Sequence, residues 1–215
     1  MAAIKGYVAG IMDGVADTPE KTRKYIQTID NKTSDIDKLI DELFLFSKLD
    51  LKKELFNFEK VEIKQYFKDS TEELKFDLMK KGIELRFYLE NKEPLWVVAD
   101  REKLKRIISN IVDNAVKYMD KEVRTIEITL IEGSTEFVTI QIADNGQGIP
   151  KQALSLIFDR FYRADPSRNS ANGGSGLGLA IAKGIIEGHG GKIWGESEEG
   201  QGTSIFFTLK KVKNS

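Results

Sequence analysis

The sequence has no cysteine and only one histidine among its 215 residues. Without cysteine, the chain can form neither a disulfide framework nor a thiolate metal site, and a single histidine leaves little for zinc chemistry. The composition therefore excludes disulfide-stabilised scaffolds and thiolate metal sites. A reducing compartment is compatible with it.

The chain also lacks an excess of either charge. Its 33 basic and 34 acidic residues give a formal net charge of -1, which provides no bulk attraction to nucleic acid or to an anionic membrane. No apolar run approaches the roughly 18 residues that span a bilayer, and no secretory signal is visible at the start. We therefore expect no nucleic-acid partner, no membrane contact by these residues and a cytoplasmic location.

Residues 18–50 predict one long helix. Thr18 can cap it, and Pro19 occupies the first helical position, where its missing N–H costs nothing. Spacings of three and four alternate along it, a pattern typical of a coiled coil or helical bundle. The positions of this stripe are Ile26, Ile29, Thr33, Ile36, Ile40, Leu43 and Ser47.

A short helix from Ile4 to Asp13, followed by a turn over Gly14 to Asp17, is too short to cover this stripe. Either a second chain covers it or a segment upstream of Met1 does. Because Met1-Ala2-Ala3 leads directly into a helical pattern, we expect the hairpin to be truncated.

From about residue 54 the pattern becomes mixed α and β, so we place the boundary between domains 1–54 and 55–215 there. A helix from Val61 to Lys81 ends at Gly82, and Asp100 caps a second helix that runs to about Met119. Its buried stripe is Leu104, Ile107, Ile108, Ile111 and Ala115. The predicted strands are Ile83–Leu89, Leu95–Ala99, Ile126–Ile131, Phe137–Ala143, Ile193–Glu196 and Ser204–Leu209.

Three polar or glycine-rich motifs carry the chemistry: Asn110–Ala115 on a helix, Asp144–Ile149 after a strand, and Gly174–Leu179 before a helix. Each motif alone is a weak signal, since glycine is the default residue of tight turns. Together they predict a strand end and two helices that converge on one pocket.

With a fourth block, these motifs resemble the catalytic ATP-binding domain of bacterial sensor histidine kinases in order and spacing. The N box is matched by Asn110–Tyr118, the G1 box by Asp144–Ile149, the F box by Phe158–Arg163 and the G2 box by Gly174–Leu179. The long helix resembles the second helix of the family's dimerisation and phosphotransfer hairpin.

The resemblance implies an α+β fold, a two-layer sandwich whose mixed, largely antiparallel sheet is covered by helices on one face, preceded by the long hairpin helix. It implies a protein-histidine kinase of a two-component system, with ATP and Mg²⁺ as ligands. It also implies a response regulator as partner, a homodimer formed through the hairpin, and membrane anchoring of the intact protein.

Asp144 is a fixed acceptor at a strand end that could bind the amino group of adenine, and such a site should reject GTP, because guanine has an acceptor there. Gly146 and Gly148 let the backbone approach a flat base, or only form a tight turn. Ile149 completes this predicted base-binding segment.

Asn110 and Asn114 lie four residues apart and share a helix face. The resemblance implies that Asn114 holds Mg²⁺, that Lys117 meets phosphate and that Tyr118 lies against the nucleotide. An amide oxygen is a suitable hard ligand for Mg²⁺. Asn110 is a further candidate for catalysis.

Gly174, Gly176 and Gly178 lead into a helix whose free N–H groups can face phosphate oxygens, and Leu177 belongs to this binding segment although its side chain should pack inward. The aperiodic stretch from Phe158 to Gly174 is long enough to predict a lid. In it, the F-box match implies that Arg163 meets the γ-phosphate, and we expect Phe158 and Phe161 to anchor the lid.

One departure from the family concerns the phosphate acceptor. The only histidine, His189, follows the helix after the G2 box and matches a structural position, so we expect the acceptor histidine before Met1 and no autophosphorylation of this chain. Two alternatives stay open. They are an ATPase of the topoisomerase, chaperone or mismatch-repair type, disfavoured because Asn110 replaces a water-activating acid, and a non-catalytic dimerisation module.

Overall fold

The computed structural model describes residues 2–51, 56–90, 93–163 and 175–212. The chain divides into two compact units, the first ending at Leu45 and the second beginning at Phe46. Helices dominate the first unit, and a mixed sheet with three long helices forms the second.

The first unit is a helical hairpin, as predicted. Helix α1 (Ala2–Met12) is followed by a turn and by the 32-residue helix α2 (Pro19–Asp50), whose last residues belong to the second unit. The Thr18 hydroxyl oxygen accepts a hydrogen bond from the Lys21 N–H at 3.2 Å, which confirms the predicted cap. Tyr7 packs edge-on against Tyr25 with ring centroids 5.1 Å apart.

The apolar stripe of α2 is open to solvent in the first unit. Ile26, Ile40 and Leu43 are each more than half exposed, at 55%, 59% and 52%. No residue of α1 or α2 is buried. The hairpin therefore leaves its stripe uncovered, as its length predicted.

The second unit is built on a five-stranded sheet. Its strands are β2 (Ile83–Leu89), β4 (Arg124–Ile131), β5 (Phe137–Asp144), β6 (Ile193–Glu198) and β7 (Gly202–Lys210). They lie in the order β2-β4-β5-β7-β6. Only the β2–β4 pair is parallel, so the sheet is mixed and largely antiparallel, which confirms the expected fold class.

One face of this sheet forms the core. Alternate residues of the central strands are buried while their neighbours are not, the period-two pattern of a sheet with one covered face. Registered neighbours such as Ile128 and Ile142, or Ile140 and Phe207, extend this apolar face across the strands. The core side chains from the three central strands are Ile126, Ile128, Leu130, Val138, Ile140, Ile142, Ile205, Phe207 and Leu209.

Three long helices belong to the second unit: α3 (Ile63–Lys80), α4 (Arg101–Lys117) and α6 (Gly178–Gly188). Every residue of the predicted α4 stripe is buried, together with Val112. The Asp100 carboxylate accepts a hydrogen bond from the Lys103 N–H at 3.0 Å and so caps α4 as predicted. A short helix, α5 (Lys151–Leu154), was not predicted.

The predicted start of the first helix after the domain boundary was wrong. Val61 lies in strand β1 (Glu59–Glu62), which pairs antiparallel with β3 (Trp96–Ala99) as a separate ribbon. The helix begins at Ile63 because the Glu62 carboxylate accepts hydrogen bonds from the Lys64 and Gln65 N–H groups. Among the described residues, no helix combines the length and apolar character required to cross a membrane.

Candidate nucleotide-binding site

Asp144 is the last residue of β5, as predicted, and is paired on both sides. It lies opposite Ile126 on β4 and Thr203 on β7. Its side chain accepts a hydrogen bond from the Gly146 N–H at 2.8 Å. Burial raises the pKa of this carboxyl above its ordinary value, although backbone donors at Gly146 and Thr203 act in the opposite direction. The sheet therefore holds a partly desolvated acceptor in a fixed direction.

The two G1-box glycines are required by the loop itself. A β-carbon on Gly146 would lie 2.7 Å from the carbonyl oxygen of Tyr118. Gly148 has φ +72° and would collide with the carbonyl group of Glu198 if it had a β-carbon. The turn interpretation of these glycines thus accounts for their identity through contacts with the protein's own backbone.

Two residues that sequence reasoning missed hold the G1 loop in place. The Asn145 side chain accepts a hydrogen bond from the Thr125 N–H at 2.9 Å and donates one to the Val123 carbonyl at 2.8 Å. Ser197 accepts from the Ile149 N–H at 2.8 Å. Asn145 sits inside the motif, but nothing local in the sequence identifies its distant partners.

The N-box residues lie on the second half of α4. The Asn110 side chain donates a hydrogen bond to the Gly178 carbonyl at 2.9 Å. Asn114 follows one turn later and is half-buried. The Lys117 ammonium lies 5.2 Å from the centroid of the Tyr118 ring, and Tyr118, 42% exposed, caps the end of the helix.

The G2 segment leads directly into α6. Leu177 is 1% exposed, so its side chain packs inward as expected, and its N–H donates to the Ser175 hydroxyl oxygen at 3.0 Å. Gly176 has φ +70°, and a β-carbon there would lie 2.9 Å from the backbone of Phe161. Gly174 lies outside the described residues.

The F-box segment contacts the G2 segment through its backbone. The Phe161 N–H donates to the Gly176 carbonyl at 3.0 Å. Phe161 has φ 57°, which is unusual for a bulky residue. The residue is 62% exposed, so the expectation that its side chain anchors the lid was wrong. Phe158 is half-buried. Most of the predicted lid, residues 164–174, lies outside the described residues.

Two F-box arginines have different surroundings. Arg160 forms an ion pair with Asp50, and its guanidinium lies 4.6 Å from the centroid of the Phe46 ring. Arg163 is half-buried, and its Nε is buried without a hydrogen-bond partner among the described residues. A buried guanidinium nitrogen without a partner favours an anionic ligand.

Hydrogen bonds connect all four blocks. The end of the N box meets the G1 loop, because the Gln147 N–H donates to the Tyr118 carbonyl at 3.1 Å. The middle of the N box meets the first residue of α6 through Asn110 and Gly178. The F box meets the G2 segment through Phe161 and Gly176. Segments far apart in sequence thus form one continuous set of contacts.

His189 has the structural role that its position predicted. It is 7% exposed, caps the end of α6 and packs edge-on against the stacked rings of Phe56 and Phe58. Its Nδ1 donates to the Ile185 carbonyl at 2.8 Å, and its Nε2 accepts from the Asp100 N–H at 3.0 Å. Burial lowers the pKa of this imidazole. Both ring nitrogens are therefore engaged.

The side chains available to bind a metal ion suit a metal that is bound together with a nucleotide better than a metal held by protein alone. No group of three or more histidine, cysteine or acidic side chains that could hold a metal ion occurs in the described part of the chain. Mg²⁺ typically binds one or two protein oxygens and takes further ligands from phosphates and water. The half-buried amide of Asn114 fits that requirement.

Comparison with known proteins also indicates a nucleotide-binding domain. The family described as histidine kinase-, DNA gyrase B-, and HSP90-like ATPase matches residues 99–213. Sensor histidine kinase WalK of Bacillus subtilis (strain 168) is 32% identical over 210 residues, which are 97% of this chain and 34% of that protein. The chain thus spans about a third of this curated relative.

Solved structures agree with this assignment. Full-length ShkA in complex with AMPPNP is 25% identical, with a TM-score of 0.78 over 92% of this chain and 40% of ShkA. Histidine kinase ThkA in complex with response regulator protein TrrA is 27% identical, with a TM-score of 0.75 over 97% of this chain and 57% of that one. The chain therefore belongs to the histidine kinase-, DNA gyrase B- and HSP90-like ATPase family, and its second unit is an ATP-binding domain of the bacterial sensor histidine kinase type.

Proposed function

We propose that this chain is the catalytic part of an ATP-dependent protein-histidine kinase of a two-component system. Residues 55–215 would bind Mg²⁺-ATP, and residues 1–54 would belong to the dimerisation and phosphotransfer hairpin. The observation that carries the proposal is the continuous set of hydrogen bonds that connects the N, G1, F and G2 segments. Phosphoryl transfer requires mainly positioning and charge neutralisation, and the side chains of these segments suit both tasks.

The adenine end of the site is assigned to the G1 loop. Asp144 accepts a hydrogen bond from the adenine amino group, and Gly146, Gly148 and Ile149 form the surface against which the base lies. The partial burial that raises the pKa of Asp144 also strengthens a hydrogen bond made there, because water competes less. Guanine offers an acceptor at the same position, so GTP should bind weakly.

The phosphate end is assigned to α4, the G2 segment and the F box. Asn114 supplies an oxygen to Mg²⁺, Lys117 neutralises phosphate charge and Tyr118 lies against the nucleotide. At the start of α6, free N–H groups and the helix dipole attract phosphate oxygens. The residues of that segment are Gly174, Gly176, Leu177 and Gly178. Arg163, with its unpartnered Nε, would meet the γ-phosphate.

The phosphate acceptor would be a histidine other than His189. An acceptor imidazole needs a free ring nitrogen that ATP can reach, whereas both nitrogens of His189 are hydrogen-bonded and the side chain is 7% exposed. We therefore propose that this chain binds Mg²⁺-ATP but does not label itself. Rapid ATP hydrolysis is disfavoured, because Asn110 offers an amide rather than a carboxylate to activate water.

The proposed partners follow from the relatives. ThkA is seen in complex with response regulator TrrA, which supports a response regulator as partner of the intact protein. The uncovered stripe of α2 supports a homodimer formed through the hairpin. Anchoring of the intact protein in the cell membrane is part of the same proposal and rests on the resemblance to sensor kinases.

The test is transfer in trans. The chain is incubated with γ-labelled ATP, Mg²⁺ and a separate helical hairpin that carries an exposed histidine. We expect acid-labile label on the hairpin, none on this chain and little transfer from GTP. Asp144→Ala should abolish transfer, whereas Ser134→Ala, in the distant β4–β5 hairpin, should not. Absence of ATP binding by calorimetry, or rapid phosphate release without transfer, would contradict the proposal.

A further inference from the structure

The contact between Asn110 and Gly178 joins the two helices of the proposed site. Asn110 lies in the middle of α4, and Gly178 is the first residue of α6, 68 positions later. A β-carbon on Gly178 would have its three nearest neighbours in the Asn110 side chain, at 3.7 to 3.9 Å. The amide therefore lies directly on the first turn of α6.

The chemistry of this contact requires a donor at position 110. The Gly178 carbonyl oxygen can only accept a hydrogen bond, so the atom that faces it must be the amide nitrogen of Asn110. A carboxylate would place a second acceptor against this oxygen and would repel it. Asn110 thus contributes through its Nδ2–H group, which points at protein backbone.

Burial of Ala180 and Ile181 also holds the first turn of α6, and the Asn110 bond acts in addition to it at the Gly178 carbonyl. Leu177 is anchored by burial, and Gly176 is held by the Phe161 N–H. Both contacts lie before the helix begins. In the first helical residue itself, the Asn110 amide is the side chain that fixes the carbonyl, and Asn114 follows on the same face of α4 one turn later.

We propose that Asn110 is a positioning residue for α6 and not a ligand of nucleotide or metal. Its amide holds the phosphate-facing N–H groups of α6 at a fixed distance from Asn114, so that one triphosphate meets both. This inference rests on the proposed ATP site and assigns Asn110 a role different from that of Asn114. Loss of the bond displaces the phosphate-binding end and leaves the adenine end at Asp144 unchanged.

The test compares Asn110→Asp with the wild-type chain and with Ser109→Ala, a control on the same helix whose hydroxyl donates to the Arg106 carbonyl. We expect Asn110→Asp to weaken ATP and ADP binding about tenfold, while adenosine, followed by NMR shifts, binds as in the wild type. Ser109→Ala should change none of these affinities. Equal losses for adenosine and ATP, or no loss at all, would overturn the inference.

Two further measurements separate positioning from metal binding. A positioning role predicts the same loss with Mg²⁺ and with EDTA, whereas a loss confined to Mg²⁺ would make Asn110 a metal ligand and refute the proposal. Protonation restores a donor to the aspartic acid, so the ratio of variant to wild-type Kd should fall as the pH is lowered from neutral toward the ordinary pKa of aspartate, about 3.9. A constant ratio would count against it.

These outcomes are distinguishable from failure of the proposed function. If the wild-type chain binds no ATP, the ATP site itself is wrong. If it binds ATP and the Asn110→Asp variant keeps full affinity for every nucleotide, only the positioning role is wrong. Amide exchange over residues 178–182, measured without nucleotide, should be faster in Asn110→Asp than in Ser109→Ala.

Discussion

At the scale of single residues, Asp144 combines fixed geometry with an unfavourable charge. It lies between two strands and accepts a hydrogen bond from the Gly146 N–H, and burial raises the pKa of its carboxyl. A group buried at an energetic cost in this way indicates a functional role, since a purely structural turn would not need the charge.

Asp144→Asn tests this directly. The amide oxygen can still accept from the Gly146 N–H, but Asn presents both a donor and an acceptor to adenine, so ATP affinity should fall at least about tenfold. Calorimetry on the wild-type chain and on Gln141→Asn, a polar change on the same strand, provides the comparison. Unchanged ATP affinity in Asp144→Asn would contradict the assignment of Asp144 to the base.

The raised pKa of Asp144 also predicts that the difference in Tm between Asp144→Asn and the wild-type chain depends on pH. Because the pKa of Asp144 is raised on folding, its contribution to stability is complete below the unfolded pKa and is lost as pH rises through the folded pKa. At neutral pH the buried carboxylate therefore destabilises the fold, and Asp144→Asn should have an equal or higher Tm. The difference should shrink below the ordinary pKa of aspartate. A lower Tm at neutral pH would exclude this account.

Sequence reasoning proposed the site residues but did not find the side chains that hold the G1 loop in place. Asp144 was predictable because a carboxylate after an alternating strand is a local pattern. Asn145 and Ser197 were not, because their partners Val123, Thr125 and Ile149 lie 20 to 48 positions away. The proposed role of Asn110 depends on a similar long-range contact, with Gly178, so the helix face that it shares with Asn114 indicated only a candidate for catalysis.

At the scale of secondary-structure elements, a substitution at the start of α6 should change ATP affinity without lowering the stability of the fold. A β-carbon on Gly178, the first residue of α6, would make only ordinary contacts at 3.7 Å and beyond, so alanine adds no strain there. Gly178→Ala should therefore keep or raise the Tm. If this turn faces phosphate, the added methyl group should weaken ATP binding and leave adenosine binding unchanged.

Gly148→Ala should have the opposite effect on stability. Gly148 has φ +72° and lies against the Glu198 backbone, so alanine should destabilise the chain by at least about 1–3 kcal/mol. Denaturant unfolding of the two variants measures both effects. A stable Gly148→Ala variant, or a Gly178→Ala variant that binds ATP normally, would contradict the corresponding assignment.

Helices and strands with a regular spacing of apolar residues were predictable from the sequence. Elements defined by pairing with a distant strand were less predictable. The α4 stripe and the β4–β5 hairpin followed directly from their spacing. Strand β1 has only four residues, and it is defined by its ladder with β3. The residues after it have a helical pattern, so Val61 was assigned to the helix. Tertiary pairing overrode the local preference there.

At the scale of the whole molecule, the buried state of His189 predicts how the chain behaves with ATP. Both imidazole nitrogens are bonded, so incubation with γ-labelled ATP and Mg²⁺ should leave the chain unlabelled while ATP binds. Mass spectrometry under conditions that preserve phosphohistidine checks this result. Acid-labile phosphate on His189 would show that the C-terminal end of α6 opens and would overturn the proposed acceptor.

The uncovered stripe of α2 predicts self-association of the first unit. Ile40 and Leu43 are more than half exposed, and pairing two such stripes would remove them from water at roughly 25 cal/mol per Å² of apolar area. The wild-type chain should therefore form dimers whose fraction rises with concentration in light scattering. Ile40→Glu and Leu43→Glu should shift it to monomer, because a carboxylate at either position would be buried in the pair.

Ser34→Glu is the matched control, since it adds the same charge to an exposed position of α2 between stripe residues. It should leave the dimer fraction nearly unchanged. All three variants should bind ATP with wild-type affinity, because the substituted residues lie in the first unit and the nucleotide site in the second. A wild-type chain that stays monomeric at high concentration, or a Ser34→Glu variant that dissociates like Leu43→Glu, would show that this stripe is not the dimer interface.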